Sequence, residues 1–439
     1  MEYKLEPIGD SLYIKGRIGW KGLKKSEYLE SGEYRIINGK ALTSNGIDWN
    51  ECGFISKERY EESPEIMLET NDIVITKDGT IGKVDIVKSL DKPTTVASGL
   101  FVLRNSNPEE FNTMFIYYFL KSPIFKQFIE VRKEGSVIPH LYQKDFVELE
   151  IPKFNINNQK LIANILCSID NKIDNNKQII KNLEELSQTL FKRWFVDFEF
   201  PDENGNPYKS SGGEMADSEL GEKPINWDVA KLRSIVNIRT GYAFKSTEYV
   251  EQRQLPVLRT LNISKSNLLV TMNEIKYVPY QYLYIDKYKN YNLELFDTLL
   301  VTVGGSIGNL GLVTENNIPS LQNQNMWRFR SIKSNIGNTL VYQLILYVNS
   351  LVRNQTSGSA REFYTKKTFE NFSLLLPKED SYLYENINKY LENFGKKISD
   401  LNVEIEKLTQ LRDTLLPKLM SGEIEIPDDI EVNEDELSI

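Results

Sequence analysis

Apolar residues recur at alternating spacings of four and three along two long stretches of the chain. The first stretch runs from Ile162 to Trp194, and the second, at a constant offset for every position, runs from Ile387 to Leu419. Eight of ten seam positions are apolar in the first stretch and nine of ten in the second. Because this spacing is that of a heptad repeat, both stretches are predicted to be long helices with one apolar seam.

Two arrangements of these helices are consistent with the pattern. Each could be a core helix of a bundle, or the two could project into solvent and pair with each other. Their outer faces are highly polar, as in "DNKIDNNKQ", and Asn176 occupies a seam position, where asparagine fixes coiled-coil register. We therefore predict an intramolecular antiparallel coiled coil.

Shorter apolar runs precede each helix and predict strands. Residues 72–76 ("DIVIT") and 99–104 ("GLFVLR") precede the first helix, and residues 297–303 ("DTLLVTV") and 325–330 ("NMWRFR") precede the second. Glycine and asparagine turns separate these runs. The predicted fold class is α+β, with two homologous halves that each consist of a mixed α/β domain followed by a long helix.

Similar segments in the two halves indicate an internal duplication. Residues 23–28 ("LKKSEY") resemble residues 244–249 ("FKSTEY"), and the segment 77–87 ("KDGTIGKVDIV") recurs at 304–313 ("GGSIGNLGLV"). A P-loop would need four residues between its first glycine and the Gly-Lys pair, so these glycines mark turns of the repeat. The aligned positions are Gly79 with Gly305, Ile81 with Ile307 and Gly82 with Gly308.

The repeat and the local composition divide the chain into six predicted segments. Residues 201–225 are rich in Gly, Pro, Ser, Asp and Asn, which is typical of an exposed linker. The predicted boundaries are 1–155 for the first mixed α/β domain, 156–200 for the first helical region, 201–225 for the linker, 226–380 for the second mixed α/β domain, 381–422 for the second helical region and 423–439 for an acidic tail.

Charge is distributed unevenly along the chain. The 439 residues carry a net charge of −9, but residues 422–439 hold eight carboxylates and no Lys or Arg, so the remainder is close to −1 (−9 + 8). Residues 15–25 carry five positive charges and no negative ones. The acidic overall balance is therefore compatible with a nucleic-acid-binding surface.

Other features of the composition narrow the class of protein. No apolar run approaches the ~18–20 residues of a membrane span, and the N-terminus has no signal-peptide pattern. We therefore expect a cytoplasmic protein without membrane contact. The two cysteines, Cys52 and Cys167, and the single histidine, His140, predict neither a disulfide framework nor a metal centre.

The sequence contains no motif for catalysis. An adenine methyltransferase needs an Asn/Asp-Pro-Pro-Tyr/Phe motif, and the nearest string, Asn206-Pro207-Tyr208, lacks the second proline and lies in the predicted linker. His140 has no counterpart in the second half, so we expect a structural or DNA-contacting role for it. We predict no catalytic residue and no metal ligand in this chain.

Basic, glycine-bearing and aromatic loops recur in both halves and are the candidate DNA-binding surfaces. Glycines let the backbone approach a phosphate, lysines neutralise it, and arginine and asparagine can read base edges. For any single lysine, an ordinary solvated loop is the alternative. The candidate DNA-binding residues are Lys15, Arg17, Lys21, Lys24, Lys25, Arg35, Asn38 and Lys40 in the first half, and Arg239, Tyr242, Lys245, Arg259 and Asn262 in the second.

The order of motifs resembles the specificity subunit of type I restriction–modification systems over nearly the whole chain. The strings that carry the resemblance are "NDIVITKDGTIG", "LFDTLLVTVGGSIG", "GSVIPHLYQKDF", "LFKRWFVDFEFP", "ELGEKPINWDVAKL" and "LLPKLMSGEI". The resemblance implies two target-recognition domains and no cofactor bound by this chain. It also implies double-stranded DNA, two modification subunits that methylate adenine with S-adenosylmethionine, and restriction subunits as partners, with ATP and Mg on those subunits.

The predicted length of the long helices can be compared with one turn of B-DNA. The 32 steps from Ile162 to Trp194 span about 48 Å at ~1.5 Å per residue, which exceeds the ~34 Å turn of B-DNA. Because the skeleton repeats while the loops differ, we predict two unlike half-sites separated by an unread spacer. Two other functions stay open: a self-contained DNA methyltransferase, and a coiled-coil adaptor without DNA contact.

Overall fold

The chain forms two compact units. Unit 1 comprises Met1–Lys172 and Leu408–Ile439, and unit 2 comprises Ile173–Lys407. Unit 1 is therefore assembled from both ends of the sequence, whereas unit 2 is continuous. The computed structural model describes residues 4–19, 22–43, 46–133, 140–265, 268–354 and 364–424.

Unit 1 is built around a four-stranded antiparallel sheet with both faces buried. Its strands are β1 (Leu5–Pro7), β2 (Leu12–Lys15), β3 (Tyr34–Ile37), β4 (Leu42–Thr43), β5 (Gly46–Ile47), β6 (Gly53–Ile55), β7 (Ile73–Thr76), β8 (Val84–Ile86), β9 (Thr94–Val96), β10 (Leu100–Asn105) and β11 (Glu150–Pro152). The main sheet has the order β2-β10-β7-β8. A three-stranded sheet has the order β6-β3-β9, in which β3 and β9 are parallel, and β1 pairs with β11 and β4 with β5. In β7, Ile73 and Ile75 join one core cluster and Val74 joins another, as the alternation of side chains along a strand requires.

The helices of unit 1 supply much of the core cluster that contains Ile73 and Ile75. They are α1 (Lys57–Glu61), α2 (Thr113–Lys121), α3 (Pro123–Lys133), α4 (Gln143–Val147) and the first part of α5 (Ile156–Phe195). Six consecutive residues of α2, 115–120, are buried, so this helix is apolar on all sides. Asn112 fixes its start, because the Asn112 carboxamide oxygen accepts a hydrogen bond from the Phe115 amide at 3.0 Å.

Unit 2 repeats this plan. Its strands are β12 (Met215–Ser218), β13 (Gly221–Pro224), β14 (Trp227–Lys231), β15 (Val236–Thr240), β16 (Leu255–Leu258), β17 (Lys276–Val278), β18 (Thr298–Val301), β19 (Leu310–Leu312), β20 (Leu321–Gln322), β21 (Met326–Ser331) and β22 (Ser373–Pro377). Its helices are α6 (Asp286–Lys289), α7 (Asn338–Asn354), α8 (Lys366–Glu370) and the greater part of α9 (Tyr382–Met420).

The strand orders of the two units correspond element by element. The order β15-β21-β18-β19 matches β2-β10-β7-β8, and β17-β16-β20 matches β6-β3-β9, again with one parallel pair, β16 and β20. The pair β14 and β22 matches β1 and β11. The predicted duplication of a mixed α/β domain followed by a long helix is therefore confirmed.

The glycine turns of the two units correspond, except for one of the predicted glycine pairs. Gly79 (φ 69°) and Gly82 (φ 84°) adopt left-handed conformations between β7 and β8, and Gly304 (φ 77°) and Gly308 (φ 80°) do so between β18 and β19. The counterpart of Gly79 is therefore Gly304, and the predicted alignment with Gly305 was wrong. The second turn is slightly longer than the first, because positions 302–309 separate β18 from β19 while positions 77–83 separate β7 from β8.

A buried carboxylate links the main sheet to the turn before it in each unit. In unit 1, Asp72 is 1% exposed and accepts hydrogen bonds from Arg104 Nε at 2.7 Å and Nη2 at 2.8 Å. In unit 2, Asp297 is fully buried and accepts from Arg330 Nε at 2.7 Å and Nη2 at 2.6 Å. Each carboxylate also accepts a backbone amide three residues earlier at 2.8 Å, so the network fixes the turn as well as the sheet.

The two long helices run antiparallel within each unit. In unit 2, the Trp194 ring lies 6.3 Å from the Tyr390 ring, and a cavity of about 20 Å³ is lined by Glu184 and Ser187 from α5 and by Leu391 and Ile398 from α9, among others. Glu184 and Ser187, which precede Trp194 in α5, therefore lie beside Leu391 and Ile398, which follow Tyr390 in α9. This order is that of two antiparallel helices. In unit 1, Arg412 Nη1 of α9 donates to Asp170 of α5 at 2.8 Å. The predicted helices and their antiparallel direction are confirmed, and coiled-coil packing between them stays a prediction.

The segment predicted to be an exposed linker is folded. Phe200 is buried, and its ring stacks on Tyr208 at 4.6 Å. Strands β12 and β13 then form a hairpin with a two-residue loop, after which β13 begins at Gly221 with a φ of 98°. The glycine, asparagine and serine residues that indicate a linker here supply tight turns, because these residue types serve both purposes.

Candidate nucleic-acid interface

The basic loop after β2 divides into buried and exposed members. Arg17 is 2% exposed, and its guanidinium donates to Val96 O, Ser63 Oγ and Thr95 Oγ1 at 3.3–3.5 Å. Burial lowers the pKa of this guanidinium. Arg17 therefore has a structural role in unit 1, and the prediction that it contacts DNA is corrected. Lys15 is half-buried, with its ammonium 5.7 Å from the Tyr13 ring centroid.

The repeated "KSEY" and "STEY" strings form the same capped turn in both units. The Lys24 amide donates to Glu27 Oε2 at 2.7 Å, and the Lys245 amide donates to Glu248 Oε2 at 2.7 Å. The similarity of these strings thus has a structural cause. The turn leaves the side chains of Lys24, Lys25 and Lys245 exposed. Lys21 lies outside the described residues.

The candidates in β3 and in the turn after it form contacts inside unit 1. Arg35 donates to both oxygens of Asp91, at 2.5 and 3.0 Å, and its guanidinium lies 5.0 Å from the Trp49 ring. Asn38 Oδ1 accepts from the Lys40 amide at 2.9 Å, so Asn38 forms a turn. The buried Arg35 is therefore a structural residue, whereas the half-buried Asn38 and the exposed Lys40 stay candidates.

The candidates that follow β16 also form contacts inside their own unit, unit 2. Asn262 is fully buried, where its Oδ1 accepts from the Arg259 amide at 2.9 Å and its Nδ2 donates to Asn273 O at 2.8 Å. The guanidinium of Arg259 donates to Glu274 O. Both residues therefore hold their loop; the buried Asn262 is a structural residue, and DNA contact by the half-exposed Arg259 stays a prediction. Arg239 is half-exposed on β15, opposite Arg328 of β21.

Tyr242 belongs to an aromatic cluster that sequence reasoning missed. Its ring centroid lies 4.8 Å from Phe244, 5.1 Å from Tyr288 and 5.3 Å from Tyr291. The Lys287 ammonium lies 4.8 Å from the centroids of both Tyr242 and Tyr288. The sequence did contain a signal, since residues 277–291 ("YVPYQYLYIDKYKNY") include six tyrosines.

Three observations on the described residues concern metal-binding and nucleophilic groups. None of them forms a group of three or more His, Cys, Asp or Glu side chains that could hold a metal ion. Burial raises the pKa of the Cys52 thiol to about 11, so it is a poor nucleophile at neutral pH. His140 contacts Asp78 through Nδ1 and lies 4.5 Å from the exposed Tyr142 ring. Within the described part of the chain, no helix has the length and apolarity to span a membrane.

Comparison with known proteins identifies the duplicated domain. The profile of the type I restriction modification DNA specificity domain matches residues 7–185 and 224–410. The chain is 25% identical over 435 residues to the type I restriction enzyme MjaVIII specificity subunit of Methanocaldococcus jannaschii, covering 97% of this chain and 93% of that protein. It is 24% identical over 383 residues to the MjaIX specificity subunit of the same organism, covering 85% and 82%.

A solved structure has the same fold. The crystal structure of the type I restriction–modification S subunit from M. genitalium aligns with a TM-score of 0.56 and 21% sequence identity, over 98% of this chain and 97% of that one. The family assignment rests on the two matched domains, which together span most of the chain. The chain belongs to the specificity subunits of type I restriction–modification systems and carries two target-recognition domains.

Proposed function

We propose that this chain is the non-catalytic, DNA-reading subunit of a type I restriction–modification complex. Each recognition domain contacts one half of a bipartite, asymmetric target in double-stranded DNA. The observation that carries this proposal is the pairing of a repeated framework with unlike loops. The strand orders match, but β6 leads into the short helix α1, whereas its counterpart β17 leads into the tyrosine-rich segment 277–291. Likewise, the hairpin of β4 and β5 lies between β3 and β6, whereas the turn held by Asn262 lies between β16 and β17. Unlike loops on one framework support unlike half-sites.

The chemistry in this proposal belongs to partner subunits. Two modification subunits bind S-adenosylmethionine and methylate adenine, and restriction subunits use ATP and Mg, while this chain supplies the sequence preference in the cytoplasm. The exposed basic side chains that support DNA contact are Lys24, Lys25 and Lys40 in unit 1 and Lys245 in unit 2. Such lysines bind phosphates and do not by themselves specify sequence.

Methylation mapping tests the proposal directly. Genomic DNA from cells with this chain and its modification subunits is expected to carry methyladenine in one bipartite motif, and cells without the chain are expected to lack it. A single uninterrupted motif would contradict the two-domain reading. Purified chain alone, incubated with S-adenosylmethionine and DNA, is expected to transfer no methyl groups, and transfer would support the self-contained methyltransferase instead.

The spacer between the half-sites gives a second test. One heptad inserted in α5 between Ile173 and Ile180, with a matching heptad in α9 between Ile398 and Ile405, keeps both apolar seams in register. Seven residues add about 10.5 Å, or about three base pairs at ~3.4 Å each. The mapped motif is expected to gain that many unread positions while both half-sites keep their sequences. Altered half-site bases would refute the role of the helices in spacing.

A further inference from the structure

The tyrosine-rich segment of unit 2 forms a rigid surface. The Tyr282 and Tyr288 rings stack at 4.2 Å with an angle of 6° between their planes. Tyr288 is 4% exposed and belongs to a core cluster that also includes Phe244 and Leu255. The Tyr288 hydroxyl donates to Glu248 Oε1 at 2.7 Å, which ties the segment to the capped turn at Lys245. The Tyr288 ring is therefore held both by its packing in the core and by the hydrogen bond from its hydroxyl to Glu248.

Lys287 lies against this surface without a carboxylate partner. Its Nζ sits 4.8 Å from the ring centroids of Tyr242 and Tyr288 and donates to the Tyr288 hydroxyl at 3.2 Å. Among the described residues it forms no ion pair, whereas its neighbour Lys289 pairs with Asp286 at 2.6 Å. The hydrogen bonds to Tyr242 and Tyr288 raise the pKa of Lys287, so the ammonium is charged at any working pH.

Lys245 and Lys287 flank the same carboxylate. Burial raises the pKa of Glu248, but the Lys245 amide, the Tyr288 hydroxyl and the charges of Lys287 and Lys245 outweigh it, so the net shift is downward. The geometry agrees, because the Lys245 amide donates to Glu248 Oε2 at 2.7 Å, while Lys287 Nζ donates at 3.2 Å to the Tyr288 hydroxyl that contacts Glu248 Oε1. Lys245 is exposed and, like Lys287, forms no ion pair among the described residues. Two cations around one anion leave this surface with a net positive charge.

We propose that Lys245 and Lys287 together bind one backbone phosphate beside the half-site contacted by unit 2. This inference rests on the proposed function. The two rings restrain the Lys287 side chain before binding, so little rotamer freedom is lost when it meets the anion. Lysine presents a point charge without the planar fork of arginine, which suits a phosphate better than bidentate recognition of a base edge.

The salt dependence of DNA binding tests this proposal. The full chain, in complex with its modification subunits, is titrated onto a fluorescent duplex that carries the motif mapped by methylation, between 50 and 200 mM KCl. One phosphate contact contributes about 0.9 to the slope of log affinity against log salt, or about 3.5-fold in affinity over this range. Lys287→Gln is expected to lower the slope by that amount and to leave the methylated motif unchanged.

Matched variants make the result decisive. Lys289→Gln, two residues away and already paired with Asp286, is expected to keep the wild-type slope. Lys245→Gln is expected to lower the slope as Lys287→Gln does, and the double variant to lower it no further, because one phosphate is shared. Additive slopes would overturn the shared site. An unchanged slope for Lys287→Gln, with an unchanged melting temperature, would overturn the contact itself.

Two further outcomes separate this inference from the proposed function. A changed methylated motif in Lys287→Gln would mean that Lys287 reads a base, which contradicts the phosphate assignment and leaves the function intact. A wild-type complex that binds the mapped duplex no better than a scrambled one would refute the proposed function, whatever the variants do.

Discussion

The two units share a framework and differ in the segments that follow their equivalent strands β3 and β16. The Asp72–Arg104 network of unit 1 and the Asp297–Arg330 network of unit 2 use the same donor atoms, with hydrogen bonds of 2.7 and 2.8 Å in the first and 2.7 and 2.6 Å in the second. By contrast, Asn38 after β3 accepts from the Lys40 amide at 2.9 Å, while Arg259 after β16 donates to the backbone carbonyl of Glu274. A strongly fixed framework lets the adjoining loops diverge without loss of the fold.

The largest expected effect comes from breaking the framework. Asp297→Ala leaves Arg330 and the Glu294 amide without their buried acceptor, so we expect a loss of about 3 kcal/mol in the free energy of unfolding. Asp72→Ala should have a smaller effect, about 2 kcal/mol, because the Arg104 side chain is 33% exposed and that of Arg330 is 22% exposed. Urea denaturation, with hydrogen exchange to locate the change, measures both. An equal loss in Asp286→Asn, whose carboxylate is exposed, would contradict the role of burial.

Two variants in unit 1 distinguish the buried, structural Arg17 from the exposed Lys24. Arg17→Met removes three buried hydrogen bonds and should lower the free energy of unfolding by about 2 kcal/mol without changing the salt slope of DNA binding. Lys24→Gln should do the reverse, lowering the slope by about 0.9 and leaving stability within about 0.5 kcal/mol of wild type. If Arg17→Met lowered the slope and kept the stability, the correction of its role would be wrong.

Polar residues between the two long helices are expected to have a smaller effect on stability. In unit 1 the polar pair Asp170 and Arg412 is hydrogen-bonded at 2.8 Å, whereas in unit 2 Asn176 is 1% exposed and neither side-chain atom has a partner among the described residues. Asn176→Leu is expected to raise the free energy of unfolding by about 1 kcal/mol, because an unsatisfied amide is replaced by apolar burial. Thermal unfolding measures this. Ser187→Ala is the control, and a destabilised Asn176→Leu would indicate a partner for the amide.

The smallest expected effect is a pH dependence confined to unit 2. Burial, followed by the charge of Glu185, raises the pKa of Glu184 above its ordinary value of 4.5. The folded state therefore favours the protonated acid, so this contribution to stability is complete below pH 4.5 and is lost as the pH rises through the folded pKa. Glu184→Gln should flatten the difference in urea midpoint between pH 4.5 and pH 7. A steeper dependence in the variant would contradict the sign of the shift.

Sequence reasoning predicted the framework because its signals are local. The apolar runs that became β7, β10, β18 and β21 are each continuous in the sequence, and the glycines of the turns after β7 and β18 lie next to the strands that these turns connect. The heptad seam predicted both long helices for the same reason. Gly305 was misaligned because a one-residue insertion between two neighbouring glycines leaves no trace in the residue types.

The candidate site was harder to predict because the burial of a basic residue depends on distant partners. Arg17 meets Thr95 and Val96, 78 and 79 residues away, and Arg35 meets Asp91, 56 residues away. No local pattern distinguishes such arginines from exposed ones. Lys287 was missed for the complementary reason, since its contact with Tyr242 joins two loops that are far apart in the sequence.

Because unit 1 is assembled from both ends of the sequence, it can be completed only after unit 2 has been synthesised. Leu416, Leu419 and Met420, from the end of α9, are buried in the same cluster as Ile162 and Leu166 near the start of α5. A nascent chain on the ribosome can complete unit 2 while unit 1 still lacks these residues. A premature stop after Lys407 would therefore leave the first-synthesised recognition domain with an open core, and the second one whole.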